Sequence, residues 1–508
     1  MIVFYHKRDK VVRSVGIEGF EGKPVTVALL EAAAKKPDAN IVWCDERLAD
    51  FLALEAVPDL MHHDSQMFSY DVSHRNYLTP VIGFCEEASP FIPIKYGVKY
   101  PTWQMSAQVG LVNAAVVNAF SAYLFASDDF AYFLNSFAKR AMRSGLLCYS
   151  EPALLKTGAP TVESRQASIF EVFKFVRQHY RMRWTSLLLL DMVIFKHGFP
   201  IIPYLVSLFY SRRKTDERAL SSVSMESTRD ITGTGELDVI IPTIGRREHF
   251  HNVLKDLAAQ TYLPKRVIVV EQNPDTESNS ELDFITSEQW PFEIDHVFTH
   301  RTGACAARNV ALMHTRSEFV FMADDDIRFQ PDLIEQAFRY FRKTGNEVLQ
   351  TAGPQPNEVI KDTNIIQHPV LGSGWVFLKQ QCLDGVWFNP GYEFGYGEDK
   401  DFGMQLRNKG YDILLVPFIH VIHLKAPMGG FRVKPTHPWS NEKIQPKPSP
   451  TVMLHMIRNM TDEQLKGYKT VYFFKNLGKR SKNPFKGYAK FKEAWASSVY
   501  WAGELGKR

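Results

Sequence analysis

The second half of the chain predicts an α/β domain with a mostly parallel sheet. Short apolar segments of strand length lie at 237–241, 266–271, 294–298 and 318–323. Stretches with the apolar spacing of helices lie between or after them, at 246–260 and 332–343. The strand segments lack polar alternation, which is typical of strands buried on both faces of a parallel sheet. Strands that alternate with helices predict this fold class.

Polar residues follow three of the predicted strands at their carboxyl ends. They are Pro242-Thr243, Glu271 and the triplet Asp324, Asp325 and Asp326. Ligands of open α/β sheets bind beside the carboxyl ends of the strands. We therefore expect these residues to share one crevice.

The aspartate triplet has two interpretations. Like charges repel, and a carboxylate is costly to desolvate, so three of them at the end of a buried strand need a reason. One aspartate could cap the helix that begins near Pro331 and Asp332. Alternatively, the cluster holds a divalent cation, because carboxylate oxygens suit Mg²⁺ or Mn²⁺.

The composition of the whole chain excludes several classes. The 508 residues contain 60 basic and 56 acidic side chains, so the net charge of +4 argues against a nucleic-acid-binding protein. The five cysteines are Cys44, Cys85, Cys148, Cys305 and Cys382. Their wide spacing predicts neither a disulfide framework nor a zinc site, which favours a reducing, cytoplasmic setting. The N-terminal "MIVFYHKRDK" lacks an apolar run long enough for a signal peptide.

The chain is long enough for more than one domain. The segment 216–236 is charged and rich in Ser and Thr, which predicts an exposed linker. We therefore expect an N-terminal domain with trailing helices at 1–215, a catalytic domain at 237–435 and a basic helical extension at 436–508.

Two segments suggest contact with a membrane surface. Residues 184–210 are strongly apolar, but charges and prolines interrupt them before they reach the ~18 residues of a membrane-spanning helix. We expect two helices there, either core or surface-docking. Residues 475–508 interleave lysines with aromatic residues, which is typical of a solvated basic helix or of a segment that binds anionic lipid.

Six motifs in order over residues 237–432 resemble the family-2 glycosyltransferases with a GT-A fold, which is Rossmann-like. They are "VIIPTIGR", "VIVVEQNPD", "RTGACAARNVAL", "FMADDDI", "GYGEDKDFGMQLRNKGYDILLVP" and "IHVIHLKAPMGGFR". The resemblance covers about two-fifths of the chain. It implies an inverting, metal-dependent transfer of a sugar from a nucleoside-diphosphate donor.

The resemblance also implies roles for particular residues. The family's DxD motif corresponds to Asp324 and Asp326, with His423 as a further ligand of Mn²⁺ or Mg²⁺ and His420 as its competitor. The residues implied to contact the donor are Pro242, Thr243, Glu271, Arg308, Asn309, Asp324, Asp325 and Arg432. Arg308 and Asn309 are expected to open a helix at the diphosphate, and Arg432 and Lys425 to clamp it from a lid.

The segment "GEDKD" supplies the implied general base. The family places the base at Asp399, with Glu398 as the alternative, and Asp401 is expected either to orient the site or to cap a helix beginning at Phe402. Trp375 follows small residues and is expected either beside the acceptor or in the core. The second strand ends in Glu271-Gln272 where many relatives have two aspartates, which leaves the donor base open; uracil is the first expectation.

The first half has no DxD motif at a strand end. However, "FASDDFAYFLNSFAKRAMRSGLLCYSEPALLK" loosely resembles "GYGEDKDFGMQLRNKGYDILLVP", because both run from acids through Phe and a helix to an apolar strand. This suggests a second, degenerate GT-A-like module. It would bind acceptor glycan, hold a partner, serve as scaffold or act without metal.

The resulting hypothesis is a glycosyltransferase that moves a sugar, from UDP first of all, to a glycan or lipid-linked acceptor. A surface polysaccharide made at the inner face of the membrane would suit it. One alternative is a glycan- or nucleotide-binding scaffold without turnover. Another is a nucleotidyltransferase, which would need a Gly-rich phosphate loop with lysine that "IPTIGRRE" does not provide.

Overall fold

The structure is a computed structural model that describes residues 1–78, 80–425, 436–480 and 483–507. The described chain forms two compact units. The N-terminal unit comprises Met1–Thr228 and Met460–Phe474, and the C-terminal unit comprises Arg229–Asn459 and residues from 475 onward. The predicted domain limits at 215, 236 and 435 stay a prediction. The segment 216–236 is only partly exposed, because Leu220 and Ile231 are buried.

The C-terminal unit contains a mixed sheet. Numbered in chain order, its strands are β8 (Leu237–Thr243), β9 (Arg266–Gln272), β10 (Glu293–Thr299), β11 (Phe319–Ala323), β12 (Ile327–Phe329), β13 (Val348–Ala352), β14 (Ile366–Gln367), β15 (Trp375–Lys379) and β16 (Leu414–His423). Their order is β10-β9-β8-β11-β15-β13-β16-β12, and β14 pairs with β16. Strands β10, β9, β8 and β11 are parallel, whereas β15 is antiparallel to both of its neighbours.

Helices separate these strands. They are α8 (Arg247–Ala258), α9 (Phe284–Ser287), α10 (Ala304–His314), α11 (Leu333–Thr344), α12 (Glu398–Asn408), α13 (Pro450–Asn459) and α15 (Pro484–Leu505). Helix α11 shows why the sequence pattern works: Ile334, Phe338 and Phe341 lie on one apolar face and are buried. It ends at Gly345, whose φ of 59° is a left-handed conformation that glycine adopts without strain.

The predicted strands and helices of this unit are confirmed, with two differences. The sheet is mixed, because β15 enters between parallel pairs. In addition, the third predicted strand, β10, is only partly buried. It lies at the edge of the sheet, so it lacks the burial of its all-buried neighbour β9.

The N-terminal unit contains a second mixed sheet. Its strands are β1 (Ile2–Lys7), β2 (Lys10–Val15), β3 (Asn40–Asp45), β4 (Gln66–Tyr70), β5 (Tyr100–Pro101), β6 (Val109–Asn113) and β7 (Leu147–Ser150). Their order is β2-β1-β3-β6-β4-β7-β5. The helices are α1 (Val25–Lys35), α2 (Val57–Leu60), α3 (Ala114–Ala119), α4 (Phe130–Ala141), α5 (Ile169–His179), α6 (Met182–Lys196), α7 (Ile201–Ser207) and the start of α14 (Asp462–Arg480).

The two sheets share a five-strand path. The path β1-β3-β6-β4-β7 has the same chain order and the same parallel and antiparallel neighbours as the path β8-β11-β15-β13-β16. In each path a helix, α4 or α12, precedes the last strand. This shared topology supports the predicted second GT-A-like module.

The apolar segment 184–210 folds largely as α6 and α7, as expected. Several of its large apolar side chains are exposed, and Ile202 and Phe209 are 68% and 90% exposed. Within the described residues, no helix combines the length and the hydropathy needed to cross a membrane.

Candidate active site

A cavity of about 580 Å³ lies at the carboxyl ends of β8, β9 and β11. It brings together most of the residues that the sequence predicted. Those that line it are Pro242, Thr243, Arg308, Asp324, Asp325, Asp326, Glu398, His423 and Lys425. The three strand ends therefore converge on one crevice as expected, but one of the residues predicted there does not line it.

The exception is Glu271. Its carboxylate lies outside the cavity lining and accepts hydrogen bonds from Ser280 Oγ at 2.6 Å and the Glu281 amide at 2.9 Å. His296 Nε2 lies 2.9 Å away. The next residue, Gln272, lines the cavity instead.

The middle aspartate of the triplet joins two strand ends. Asp325 accepts a hydrogen bond from Thr243 Oγ1 at 2.8 Å and an ion-pair contact from Arg246 at 2.5 Å. Burial raises the pKa of Asp325 to about 6, and the Arg246 guanidinium opposes that rise. This contact fixes the loop after β8 against the loop after β11 and does not cap a helix.

The outer aspartates lie beside cations. Arg308 donates to Asp324 at 2.9 Å, and Arg246 contacts Asp326 at 2.9 Å. His423 Nε2 lies 3.5 Å from Asp326, whose hydrogen bond and charge raise the pKa of the imidazole. The triplet is therefore charge-compensated by side chains from three other segments.

These residues fit a divalent cation by their chemistry. Carboxylates and an imidazole are suitable ligands for Mn²⁺, and the carboxylates for Mg²⁺. Within the described part of the chain, however, no three His, Cys, Asp or Glu side chains are arranged as a ready metal centre. The competitor His420 is exposed and lies outside the cavity lining.

A glycine makes room for the first aspartate. A Cβ atom added to Gly374 would lie 2.2 Å from Asp324 Oδ2. The Asp324 amide also donates to the Gly374 carbonyl at 3.2 Å. Trp375, the next residue, is half-buried beside His423, with ring centroids 5.3 Å apart, and does not line the cavity.

The start of α10 differs from the prediction. The helix begins at Ala304, and its Cys305 and Ala306 amides donate to the Glu393 carboxylate at 3.1 and 2.9 Å. An anionic side chain thus occupies the helix N-terminus expected for the diphosphate. Arg308 lies one turn later with its guanidinium in the cavity, whereas the Asn309 amide is held by the Phe388 backbone outside the lining.

Two carboxyl groups begin α12. Glu398 lines the cavity, and burial next to Asp399 raises its pKa to about 7. Asp399 is placed behind the lining, where it accepts a hydrogen bond from Ser373 Oγ at 2.5 Å. Burial raises the pKa of Asp399, while the Arg308 charge opposes that rise.

Asp401 does not cap a helix at Phe402, because α12 begins earlier, at Glu398. Its buried carboxylate accepts hydrogen bonds from Tyr392 Oη at 3.1 Å and Asn459 Nδ2 at 2.8 Å. It therefore links the helix to neighbouring segments. Arg432, predicted to clamp the donor, lies outside the described residues.

Sequence reasoning missed several lining residues, of which three carry polar side chains that matter to the site. They are Arg246, Gln272 and Glu393. Arg246 stood within the quoted motif "VIIPTIGR", and an arginine one loop after a strand end was a usable signal. Glu393 gave no local signal, because the helix it caps lies almost ninety residues earlier in the chain.

Comparison with known proteins is consistent with this site. Residues 238–397 match the family Glycosyl transferase family 2. No curated protein sequence matches the chain. The segment 238–397 is accordingly a family-2 glycosyltransferase domain with a GT-A fold, and the protein is a glycosyltransferase. The predicted resemblance is confirmed.

Several solved structures show a low overall similarity. S. aureus TarS 1-349 has 17% sequence identity and a TM-score of 0.38, over 53% of this chain and 81% of that one. Its complex with UDP-GlcNAc has 18% sequence identity and a TM-score of 0.37, over 53% of this chain and 81% of that one. The mannosyltransferase PcManGT from Pyrobaculum calidifontis, in complex with GDP-Man and Mn²⁺, has 17% sequence identity and a TM-score of 0.32. The match covers 53% of this chain and 73% of that one.

Proposed function

We propose that the C-terminal unit transfers a sugar from a nucleoside-diphosphate donor, UDP first of all, to a hydroxyl of a glycan or lipid-linked acceptor, with inversion at the anomeric carbon. One observation carries this proposal: a single cavity holds the Asp324–Asp326 triplet, two arginines and the Glu398 carboxyl at the start of α12, with its neighbour Asp399 just behind the lining. The arginines would bind an anionic leaving group, and the carboxyl groups of α12 would take up a proton. We call these two regions the leaving-group pole and the proton pole.

The leaving-group pole lies at Arg308 and Arg246. Arg308 is only 8% exposed, and its Nε has no hydrogen-bond partner among the described residues. A diphosphate oxygen would satisfy that donor, and a guanidinium suits this role because it is always charged. We propose that both arginines turn from the aspartates toward the diphosphate when a donor binds.

Asp324, Asp326 and His423 would hold Mn²⁺ or Mg²⁺. When bound, the cation would neutralise charge that develops on the diphosphate. Thr243 and Asp325 keep the two strand ends in register around it, through the 2.8 Å hydrogen bond between them. Pro242 and Gln272 line the same wall and are the proposed contacts for the nucleoside.

The proton pole lies at the start of α12. The acceptor oxygen attacks the anomeric carbon from the face opposite the diphosphate, the carbon–diphosphate bond breaks, and the hydroxyl proton passes to a carboxylate. We propose Asp399 as this base, because Ser373 fixes its carboxylate, and Glu398 as the alternative, because it lines the cavity. A polysaccharide acceptor at a membrane surface would suit this reaction.

A turnover screen tests the proposal. The full chain is incubated with UDP-, GDP-, dTDP- and CMP-linked sugars, Mn²⁺ and a mixture of oligosaccharide acceptors, and release of the free nucleotide is measured. We expect one nucleoside diphosphate to be released, and NMR of the glycoside formed should show inversion at the anomeric carbon. Retention, or no release from any donor while donor binding is intact, would contradict the proposal.

Membrane-surface association is proposed from exposed aromatic residues next to lysines. On α15, Phe485 and Tyr500 are 86% and 61% exposed, and Lys486 and Lys490 are exposed near Phe485. On the N-terminal unit, Phe209 is 90% exposed just before basic residues. Aromatic side chains beside lysines favour anionic lipid surfaces.

Vesicle sedimentation tests this association. We expect the protein to sediment with vesicles of phosphatidylserine and phosphatidylcholine but not with pure phosphatidylcholine. Phe485→Ser and Phe209→Ser should each reduce binding, and Met313→Ser, at another exposed apolar position, should not. Equal sedimentation of all variants would contradict the assignment.

A further inference from the structure

A second polar cavity, of about 320 Å³, lies in the N-terminal unit. It is found at the carboxyl ends of β1 and β3 and the N-terminus of α4. Its walls include His6, Asp45, Asp71, Tyr77, Ser164 and Arg165. Nothing in the transfer reaction described above uses it.

This cavity occupies the same place in its sheet as the active site does in the other. The Asp45 amide donates to the Gln108 carbonyl at 2.6 Å, just before β6. The Asp324 amide makes the matching bond to Gly374, just before β15. Asp45 is therefore the counterpart of Asp324, and chain order makes Arg47 the counterpart of Asp326.

The counterparts lack the groups for metal-dependent transfer. Arg47 places a guanidinium where Asp326 has a carboxylate, and it holds Asp45 through contacts of 2.9 and 2.8 Å. The second residue of α4 is Ala131, whereas the second residue of α12 is Asp399. The cavity therefore lacks the second aspartate of a DxD pair, and the one carboxylate at the helix start, Asp129, caps α4 and is paired with Arg165.

One buried side chain indicates what the cavity would bind. His6 lines it and is only 3% exposed. Its Nε2 donates to the Ala107 carbonyl at 2.8 Å, and burial lowers the pKa of the ring, which favours the neutral imidazole. Nδ1 is then an acceptor, and among the described residues it has no partner. A ligand that satisfies it must bring a hydrogen-bond donor.

The remaining walls favour hydroxyl groups over phosphate. Asp71 is fixed by Ser106 Oγ at 3.4 Å and by the hydroxyl of Ser164, and Arg165 is paired with Asp129 at 3.0 Å. Fixed carboxylates accept hydrogen bonds from hydroxyls but repel phosphate. Three arginines line the cavity: the guanidiniums of Arg47 and Arg165 are already engaged by carboxylates, and Arg8 is exposed.

We propose that this cavity is a binding site for a neutral saccharide, metal-independent and without turnover, with sugar hydroxyls on His6 Nδ1 and the Asp71 wall. Pockets of this kind place a few convergent polar groups in a concave surface. The site goes beyond the proposed function and does not depend on it. Such a site would give this glycosyltransferase a second place at which to bind a glycan.

Saturation-transfer NMR on the full chain tests the site. The probes are the methyl glycosides of glucose, galactose, mannose, N-acetylglucosamine and N-acetylgalactosamine, each about tenfold above a millimolar Kd. UDP and GDP form a separate arm. We expect at least one glycoside to bind, and His6→Phe to weaken its binding about tenfold, since one hydrogen-bond acceptor is lost. Ala131→Leu, which fills the cavity from α4, should do the same.

Two variants serve as controls. His63→Phe replaces another buried histidine of this unit that does not line the cavity, and it should bind the glycoside normally. Asp326→Ala should also bind normally, which separates this site from the proposed donor site. No glycoside signal in the wild type, or equal signals in His6→Phe and wild type, would overturn the proposal. A nucleotide signal that is present in the wild type and lost in His6→Phe would also overturn the proposal, because it would show that the cavity binds a nucleotide and not a saccharide.

Discussion

The two clefts share a sheet path but differ in how their carboxylates are compensated. In the C-terminal unit, Asp324 and Asp326 are compensated by Arg308 and Arg246, which come from other segments of the chain. In the N-terminal unit, Asp45 is compensated by Arg47, two residues away in its own turn. A cation from another segment can turn away when a ligand arrives, whereas a cation in the same turn leaves its aspartate fixed.

The difference teaches which features of the fold are scaffold and which are chemistry. Both units keep the strand-end aspartate and its backbone hydrogen bond. Only one keeps two further aspartates and the carboxyl pair on the following helix. The shared fold alone therefore does not specify transfer, and function is read from the side chains at the strand ends.

The largest expected effect is on kcat and concerns Asp399, the second residue of α12, where α4 has Ala131. Asp399→Asn should lower kcat by about 10²–10⁴, the usual contribution of a general base, and leave donor binding unchanged. The measurement is nucleotide release at saturating donor and acceptor. Glu335→Gln, an acid in the first turn of α11, should leave kcat unchanged. If Glu398→Gln costs more than Asp399→Asn, the base is Glu398.

The pH profile sharpens this assignment. Burial and the Asp399 charge raise the pKa of Glu398 to about 7, so the acid limb of kcat/KM should fall near neutral pH. Glu398→Gln removes a negative charge beside Asp399, which lowers the pKa of Asp399. The limb should therefore move to lower pH. A limb that stays in place or moves up would show that the pair does not titrate in catalysis.

A smaller effect is expected from the close approach at Gly374. In Gly374→Ala the new methyl would meet Asp324 Oδ2 at 2.2 Å, so the carboxylate must move. We expect donor affinity to fall about tenfold, the cost of one displaced charged contact. Calorimetry with the cognate donor measures it. Gly503→Ala has no atom within 4 Å and is the matched control; an equal loss there would remove the steric explanation.

The smallest effect concerns stability of the N-terminal cleft. Burial, and next Asp129, raise the pKa of Asp9 from 3.8 to about 6. The unfolded chain then releases this proton first, so the residue lowers stability as pH rises from about 4 to 6. Asp9→Asn should raise stability by about 1 kcal/mol at pH 7, after allowance for solvent screening. The gain should shrink at pH 4.

Thermal unfolding at the two pH values checks this. The φ of 59° at Asp9 suits asparagine, so the backbone conformation is retained. Asp59→Asn, at an exposed aspartate of the same unit, should change Tm equally little at both pH values. A gain from Asp9→Asn that is independent of pH would point to the backbone and not to the buried charge.

Local patterns predicted much of the C-terminal unit. The apolar runs of β8, β9 and β11 and the apolar face of α11 were visible because burial acts on consecutive or periodic residues. The aspartate triplet was visible as an unfavourable charge cluster. The edge position of β10 was not, since sheet order depends on pairing between distant segments.

Contacts between distant segments were beyond the pattern. Arg246 reaches Asp325 across 79 residues, and Glu393 reaches the start of α10 across 88. The N-terminal cavity joins His6, Asp71 and Ser164, which no spacing rule connects. Only the tertiary fold shows that these side chains meet. The resemblance between the two quoted helix–strand segments did, however, suggest a second module with the same topology.

The central claim is that the Asp324–Asp326 cavity binds a nucleoside-diphosphate donor with a divalent cation. Calorimetry of UDP-, GDP-, dTDP- and CMP-linked sugars, with and without Mn²⁺, tests it most directly on the wild type, Asp326→Ala and Arg47→Ala. The account predicts Mn²⁺-dependent binding of one nucleotide, lost in Asp326→Ala and kept in Arg47→Ala. No nucleotide binding to the wild type under either condition, or binding that Asp326→Ala retains, would contradict it.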